Sequence, residues 1–173
     1  MKILAAAVVV SALCLPAASA SAQDVTDPQI ASIVVTANQV DIDAGKLAEK
    51  KATNPDVKKF GQLMVTDHTG VNKAAVDLVH KLGVTPEDNP TSQSLKAGGE
   101  TNLATLKGLS GKAFDKAYVD HEVAYHQQVI DALDHTLIPG AKNDQLKALL
   151  VKVRPAFVSH LEHAQHLQAE LSK

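Results

Sequence analysis

Four long stretches of this chain place apolar residues at alternating steps of three and four, a rhythm that only a helix turns into one continuous face. Ile30, Val34, Ala37, Ala44 and Ala48 mark the first, and Phe60, Met64, Val71, Ala75 and Leu78 the second. Val119, Val123, Ile130, Leu133 and Leu137 mark the third, and Leu146, Leu150, Val153, Phe157, Ala164, Leu167 and Leu171 the fourth. Thr26-Asp27-Pro28 opens the first helix with an N-cap and a proline at its start, and Asn54-Pro55 ends it and caps the next. Gly83 stops the second and Pro139-Gly140 breaks the third. The pattern predicts helices over residues 28–53, 55–82, 111–137 and 143–171, with Pro155 kinking the last without ending it, because its seam stays in phase.

Between the second and third helices the rhythm fails. Pro86, Asn89-Pro90, Gly98-Gly99 and Gly108 interrupt a short helical segment around Leu95 to Leu106, which reads as a connection and not as a core element. Two tight hairpins joined by a long middle segment predict an all-α fold, a ferritin-like four-helix bundle with a long crossover between the second and third helices. An up-down-up-down bundle with a decorated middle loop is the alternative. Aromatic residues are only 3% of the chain, which suits helices packed closely through small side chains.

The first residues carry a separate message. Met1-Lys2 supplies a positive start, Ile3 to Leu15 an apolar stretch, and Ala20-Ser21-Ala22 a small-x-small site before Gln23. These are the three zones of a secretory signal peptide. Residues 1–22 are expected to be cleaved, leaving 23–173 as a single four-helix-bundle domain exported to a bacterial periplasm. Cys14 follows Leu13, where a lipoprotein signal needs a small residue, so it reads as part of the signal. No cysteine follows it, which excludes disulfides, cysteine-ligated zinc and covalently attached haem from the mature chain. Losing Lys2 from the 17 basic residues leaves 16 against 19 acidic ones, a balance that recruits neither nucleic acid nor an anionic membrane surface. No later stretch is apolar enough to span a membrane.

The seams hold four residues that do not belong in hydrocarbon: Asp41, His68, His126 and His160, one on each helix. Asp41 and His68 lie at about 20 Å from the first hairpin turn at 1.5 Å per residue, and so are level. His126 and His160 lie at about 21 and 28 Å from the second turn, a mismatch of about one helical turn that the Pro155 kink would reduce. Burying such groups is costly unless they pair or bind a cation. Three imidazoles and a carboxylate form a suitable shell for one transition metal ion, Zn, Cu, Ni or Fe. The competing reading is a structural network in which Asp41 bonds a protonated His68.

Other polar residues are weaker candidates. Glu122, one turn before His126, reads as its partner in a salt bridge at the edge of the core, with a fifth metal ligand as the other option. His163 and His166 rotate off the seam, and His80, His121 and His135 are expected to be exposed. Met64 reads as core, so no haem is expected. No nucleophile with a base partner, phosphate loop or carboxylate dyad stands out, so catalysis has no support beyond the metal.

The run from Asp41 to Ala48, then Asn54-Pro55-Asp56-Val57-Lys58-Lys59-Phe60 and Met64-Val65-Thr66-Asp67-His68 with Asn72, resembles the bacterial exported proteins grouped as domain of unknown function 4142. Phe114-Asp115, Tyr118, His126, Pro155, His160-Leu161 and Ala164 continue the match. The resemblance implies a ferritin-like bundle in the cell envelope, with His68, His126 and His160 at the family's recurrent histidines. It also implies Asp41 where the family usually has Glu. It implies no activity. Di-iron carboxylate sites on such bundles need Glu-x-x-His on two helices, and this chain has no Glu-x-x-His.

Overall fold

Every long helix but one starts where a side chain accepts its free amides. Thr26 and Gln29 form a reciprocal capping box, and Asn54, Asn89 and Asn143 each accept two backbone N–H bonds from the turn that follows. The computed structural model describes residues 25–173, so the expected signal segment 1–22 lies outside the described residues. Among these, α1 (Asp27–Lys51), α2 (Pro55–Leu82), α3 (Pro90–Lys107) and α4 (Gly111–Ala132) are followed by a π-helical turn (Leu133–Leu137), a one-turn α5 (Ile138–Gly140) and α6 (Asp144–Leu171). The described residues include no strand. Gly83 ends α2 at φ 64°, a conformation that suits glycine.

Hydrogen bonds at the helix ends define the topology. α1 and α2 form an antiparallel hairpin, and α3 then returns alongside α1. At one end of α3, Asn89 Nδ2 donates to Gln29 O at 3.2 Å, and at the other Lys51 Nζ donates to Lys107 O at 2.7 Å. The Asp115 carboxylate accepts from Thr53 N, Thr53 Oγ1 and Asn54 N, tying the start of α4 to the first hairpin turn. The Asp27 carboxylate accepts from Lys142 N and Asn143 N, both at 2.9 Å, and ties the α5–α6 turn to the start of α1. The chain therefore travels the length of the bundle between α2 and α4, and these two run parallel. This is the ferritin-like all-α arrangement.

Two details depart from the sequence expectation. The crossover is no bare connection: α3 has 18 residues, and Leu106 is fully buried. Asn89-Pro90 starts this helix and does not break it, because proline at the first helical position loses no bond. Gly99 is there for space, since a Cβ on it would lie 2.7 Å from Val40 Cγ2. Likewise helical structure continues past 137 to Gly140, through the π-helical turn.

Two apolar cores fill the bundle. One gathers Ile30, Ile33, Tyr125, Ile130, Leu150 and Phe157, and the other Phe60, Met64, Phe114, Tyr118, Val119 and Leu167. On every core helix the boundary between the two carries the ionisable residues. Close approach of α1 and α2 beside this boundary depends on Gly45 and Gly61: a Cβ on Gly45 would meet Gly61 O at 2.8 Å, and one on Gly61 would meet Ala48 Cβ at 2.8 Å.

Candidate metal centre

The four seam residues meet in this polar layer. Asp41 and His160 are buried, and His68 and His126 are wholly so. The imidazole centroids form a near-equilateral triangle, with His68 5.6 Å from His126 and 5.2 Å from His160, and His126 5.4 Å from His160. The depth mismatch expected for His160 is small because residues 141–143 cross between helices and add no depth.

The two nitrogens of each ring have different surroundings. His68 Nδ1 is 2.8 Å from Asn38 Oδ1, and Asn38 is itself oriented by its amide N–H on Val34 O at 2.7 Å. His126 Nδ1 is 3.0 Å from Glu122 O, and His160 Nε2 is 2.9 Å from Asp67 Oδ2. Each partner is an acceptor, so each of these nitrogens carries the proton. The lone pairs are then on His68 Nε2, His126 Nε2 and His160 Nδ1, and all three atoms are buried without a hydrogen-bond partner. One nitrogen from each ring lies within 4.8 Å of those from the other two. An outer acceptor that sets the tautomer and leaves the inner nitrogen free is how metal-ligating histidines are held.

Glu122 is not at the edge of the core. It is completely buried, and with Asp41 and His126 it forms a second group whose ligand atoms lie within 4.8 Å of one another. The chain therefore has a buried carboxylate pair that the sequence reading did not find. The oxygens of Asp41, Glu122 and the buried Tyr118 have no hydrogen-bond partner outside their own group, within which the side chains of Asp41 and Tyr118 bond to the Glu122 carboxyl.

Burial sets the protonation of the whole layer. It is the leading cause that lowers His68 to about 2, aided by His126 and His160, and His126 to about 4, aided by His160. Burial also lowers His160, against the opposing pull of Asp67. The same desolvation pushes Glu122 up to about 8 and raises Asp41 well above the carboxylate range, with the neighbouring Glu122 charge adding to the shift in Asp41. Tyr118 is pushed up by burial and then by the charges of Glu122 and Asp41. At neutral pH the imidazoles are uncharged and Glu122 holds a proton. The 3.5 Å approach of His68 Nε2 to Asp41 Oδ2 is therefore not an ion pair, and the expected protonated His68 is not the state this interior favours.

Asn38, Asp67 and Glu122 are the residues that sequence reading missed or misplaced. Asn38 precedes Asp41 by three residues, one turn along the same face, which is the signal that would have found it. Asp67 adjoins His68 and so points to a different neighbour, His160. His121, expected in solvent, is half-buried and stacks on Tyr125 with centroids 5.6 Å apart. His163 is exposed but sets its ring edge against Phe60 at 4.9 Å.

A scan against protein families matches residues 12–167 to the family described as Domain of unknown function (DUF4142). The chain belongs to this family. No curated protein and no solved structure matches it. As a member of this family the protein inherits no activity, and the histidine layer is the feature on which a function can be argued. These buried His, Asp and Glu groups could hold a metal ion. No described helix is long and apolar enough to cross a membrane.

Proposed function

We propose that this is an exported periplasmic protein that binds one transition metal ion through His68, His126 and His160, with Asp41 and Glu122 supplying carboxylate oxygen. One observation carries the reading: three buried imidazoles each have the outer nitrogen on an acceptor and the inner nitrogen unpartnered, with ligand nitrogens within 4.8 Å of one another. Zinc–nitrogen bonds near 2.1 Å in a tetrahedral shell require nitrogens about 3.4 Å apart, so nitrogens at the upper end of that spacing would draw together by about 1.4 Å around an ion. Nitrogen with hard oxygen suits Zn, Cu, Ni or Fe. Haem has no support here, because Met64 lies in the apolar core among Phe60 and Tyr118.

A second reading has its own observation. Neutral imidazoles and a protonated Glu122 are a tolerable interior without any ion, as in a non-catalytic envelope or stress-related bundle that acts through its surfaces. Elemental analysis of untagged protein taken from the periplasm separates the two. The metal reading expects close to one ion per chain, lost in His126→Ala. Absence of stoichiometric metal, together with a melting temperature unmoved by Zn, Cu, Ni and Fe, would leave only the second. Export is tested apart: removing residues 1–22 should hold the protein in the cytoplasm with its helical circular dichroism intact.

A further inference from the structure

We infer that an apolar cavity beside the histidine layer is a binding site for an uncharged, hydrocarbon-like small molecule. The cavity, about 220 Å³, lies among α1, α2, α3, α4 and α6 and is walled by Val34, Leu95, Val129, Leu133, Leu150 and Phe157, with Val71 from α2. Two polar side chains reach its inner wall, and both are committed elsewhere. Asn38 uses its amide on Val34 O and its oxygen on His68, and the Tyr125 hydroxyl donates to Ala37 O at 3.0 Å. The remaining polar groups are Thr91 and Gln128, both exposed.

Such a wall gives water too few partners to be held well, and it contains no charged side chain to offset an ionised ligand. Protein interiors are close-packed, so a space of this size forfeits the dispersion contacts that filling it would supply. An engineered apolar cavity of about 150 Å³ takes up benzene, and this one has room for a larger ring or a short alkyl chain. The occupant would lie one side chain from the histidines: Phe157, a wall residue, sets its ring edge to face against His68 at 5.1 Å and 85°. No wall residue is a candidate metal ligand, so the site stands or falls independently of the metal reading.

Toluene and benzoate distinguish the chemistry, being similar rings without and with a charge. With the protein treated with EDTA, toluene is expected to raise Tm in a dose-dependent way and to shift the methyl resonances of Val34, Leu95 and Leu133. Benzoate at equal concentration is expected to do neither. Ala132→Phe, which fills the space from α4, should weaken the toluene response at least tenfold. Leu95→Trp should do the same from the half-buried rim should Ala132→Phe fail to melt cooperatively. Toluene leaving wild-type Tm and methyl resonances unchanged overturns the inference. So does benzoate acting as strongly as toluene, or a folded cavity-filling variant that responds like the wild type.

Discussion

His68 donates from Nδ1 to Asn38 Oδ1 at 2.8 Å, which leaves its Nε2 lone pair facing the layer of histidines and carboxyls. The amide of Asn38 cannot rotate freely, because its N–H is on Val34 O. A residue that touches no ion thus decides which nitrogen of His68 is available.

Replacing Asn38 with Ala is therefore expected to act twice. Metal-free protein should lose about 1–3 kcal/mol, the usual cost of leaving a buried donor unpaired, read from urea unfolding. Metal affinity should fall by about 10- to 100-fold, the range for lost outer partners of ligating histidines, read by competition with a chelator. Loss of stability with unchanged affinity would make Asn38 a packing residue alone.

Adjacent glycines of α3 should respond with opposite signs. A Cβ on Gly98 meets nothing within 4 Å, so Gly98→Ala should stabilise the protein by up to about 1 kcal/mol through helix propensity. A Cβ on Gly99 meets Val40 at 2.7 Å, and the stiff valine has little room to yield. Gly99→Ala should cost about 1–3 kcal/mol as overpacking exceeds the propensity gain. Equal effects in thermal melts would show that α3 does not press on α1.

The same helix shows why part of the fold was legible and part was not. Seams on α1, α2, α4 and α6 have a period that burial enforces, so their bounds and the polar residues breaking them, Asp41, His68, His126 and His160, stood out. α3 packs on one side only, with Ser92, Gly99 and Leu106 buried, too sparse a stripe to read through two glycines. Asn38 and Asp67 were hidden for a different reason: polar residues are ordinary on helices, and their role is defined only by which nitrogen they hold. Glu122 was misplaced because a carboxylate one turn from a histidine usually reaches solvent, whereas here Asp41 and Tyr118 surround it.

Metal-free protein should be most stable between about pH 4.5 and 6.5, where two opposing titrations offset one another. Glu122 is raised to about 8, so its contribution is complete below its unfolded value near 4.5 and is lost as pH rises through 8. His126 is lowered to about 4, so its contribution is complete above its unfolded value near 6.5 and is lost as pH falls towards 4. Tm in EDTA should decline on both sides, and Glu122→Gln should flatten the alkaline side while leaving the acid side. An alkaline decline that persists in Glu122→Gln would assign the proton to another group.

Binding a divalent cation reverses the preference of the carboxyls, because the ion supplies the positive charge that burial denied them. The histidines, lowered to about 2 and about 4 for His68 and His126, have few protons to give up at pH 7. Glu122, raised to about 8, holds one. Metal uptake at pH 7 should therefore release a proton from the carboxyl pair, and affinity should rise from pH 6 towards 8. If the histidines kept their ordinary values, affinity would instead level off once pH passed about 6.5. Titration calorimetry with zinc in buffers of different ionisation enthalpy counts the protons directly. Close to one proton is expected from the wild type and fewer from Glu122→Gln. Zinc binding without proton release at pH 7 would mean that neither Glu122 nor Asp41 ionises on binding, and the carboxylate part of the proposed shell would be lost.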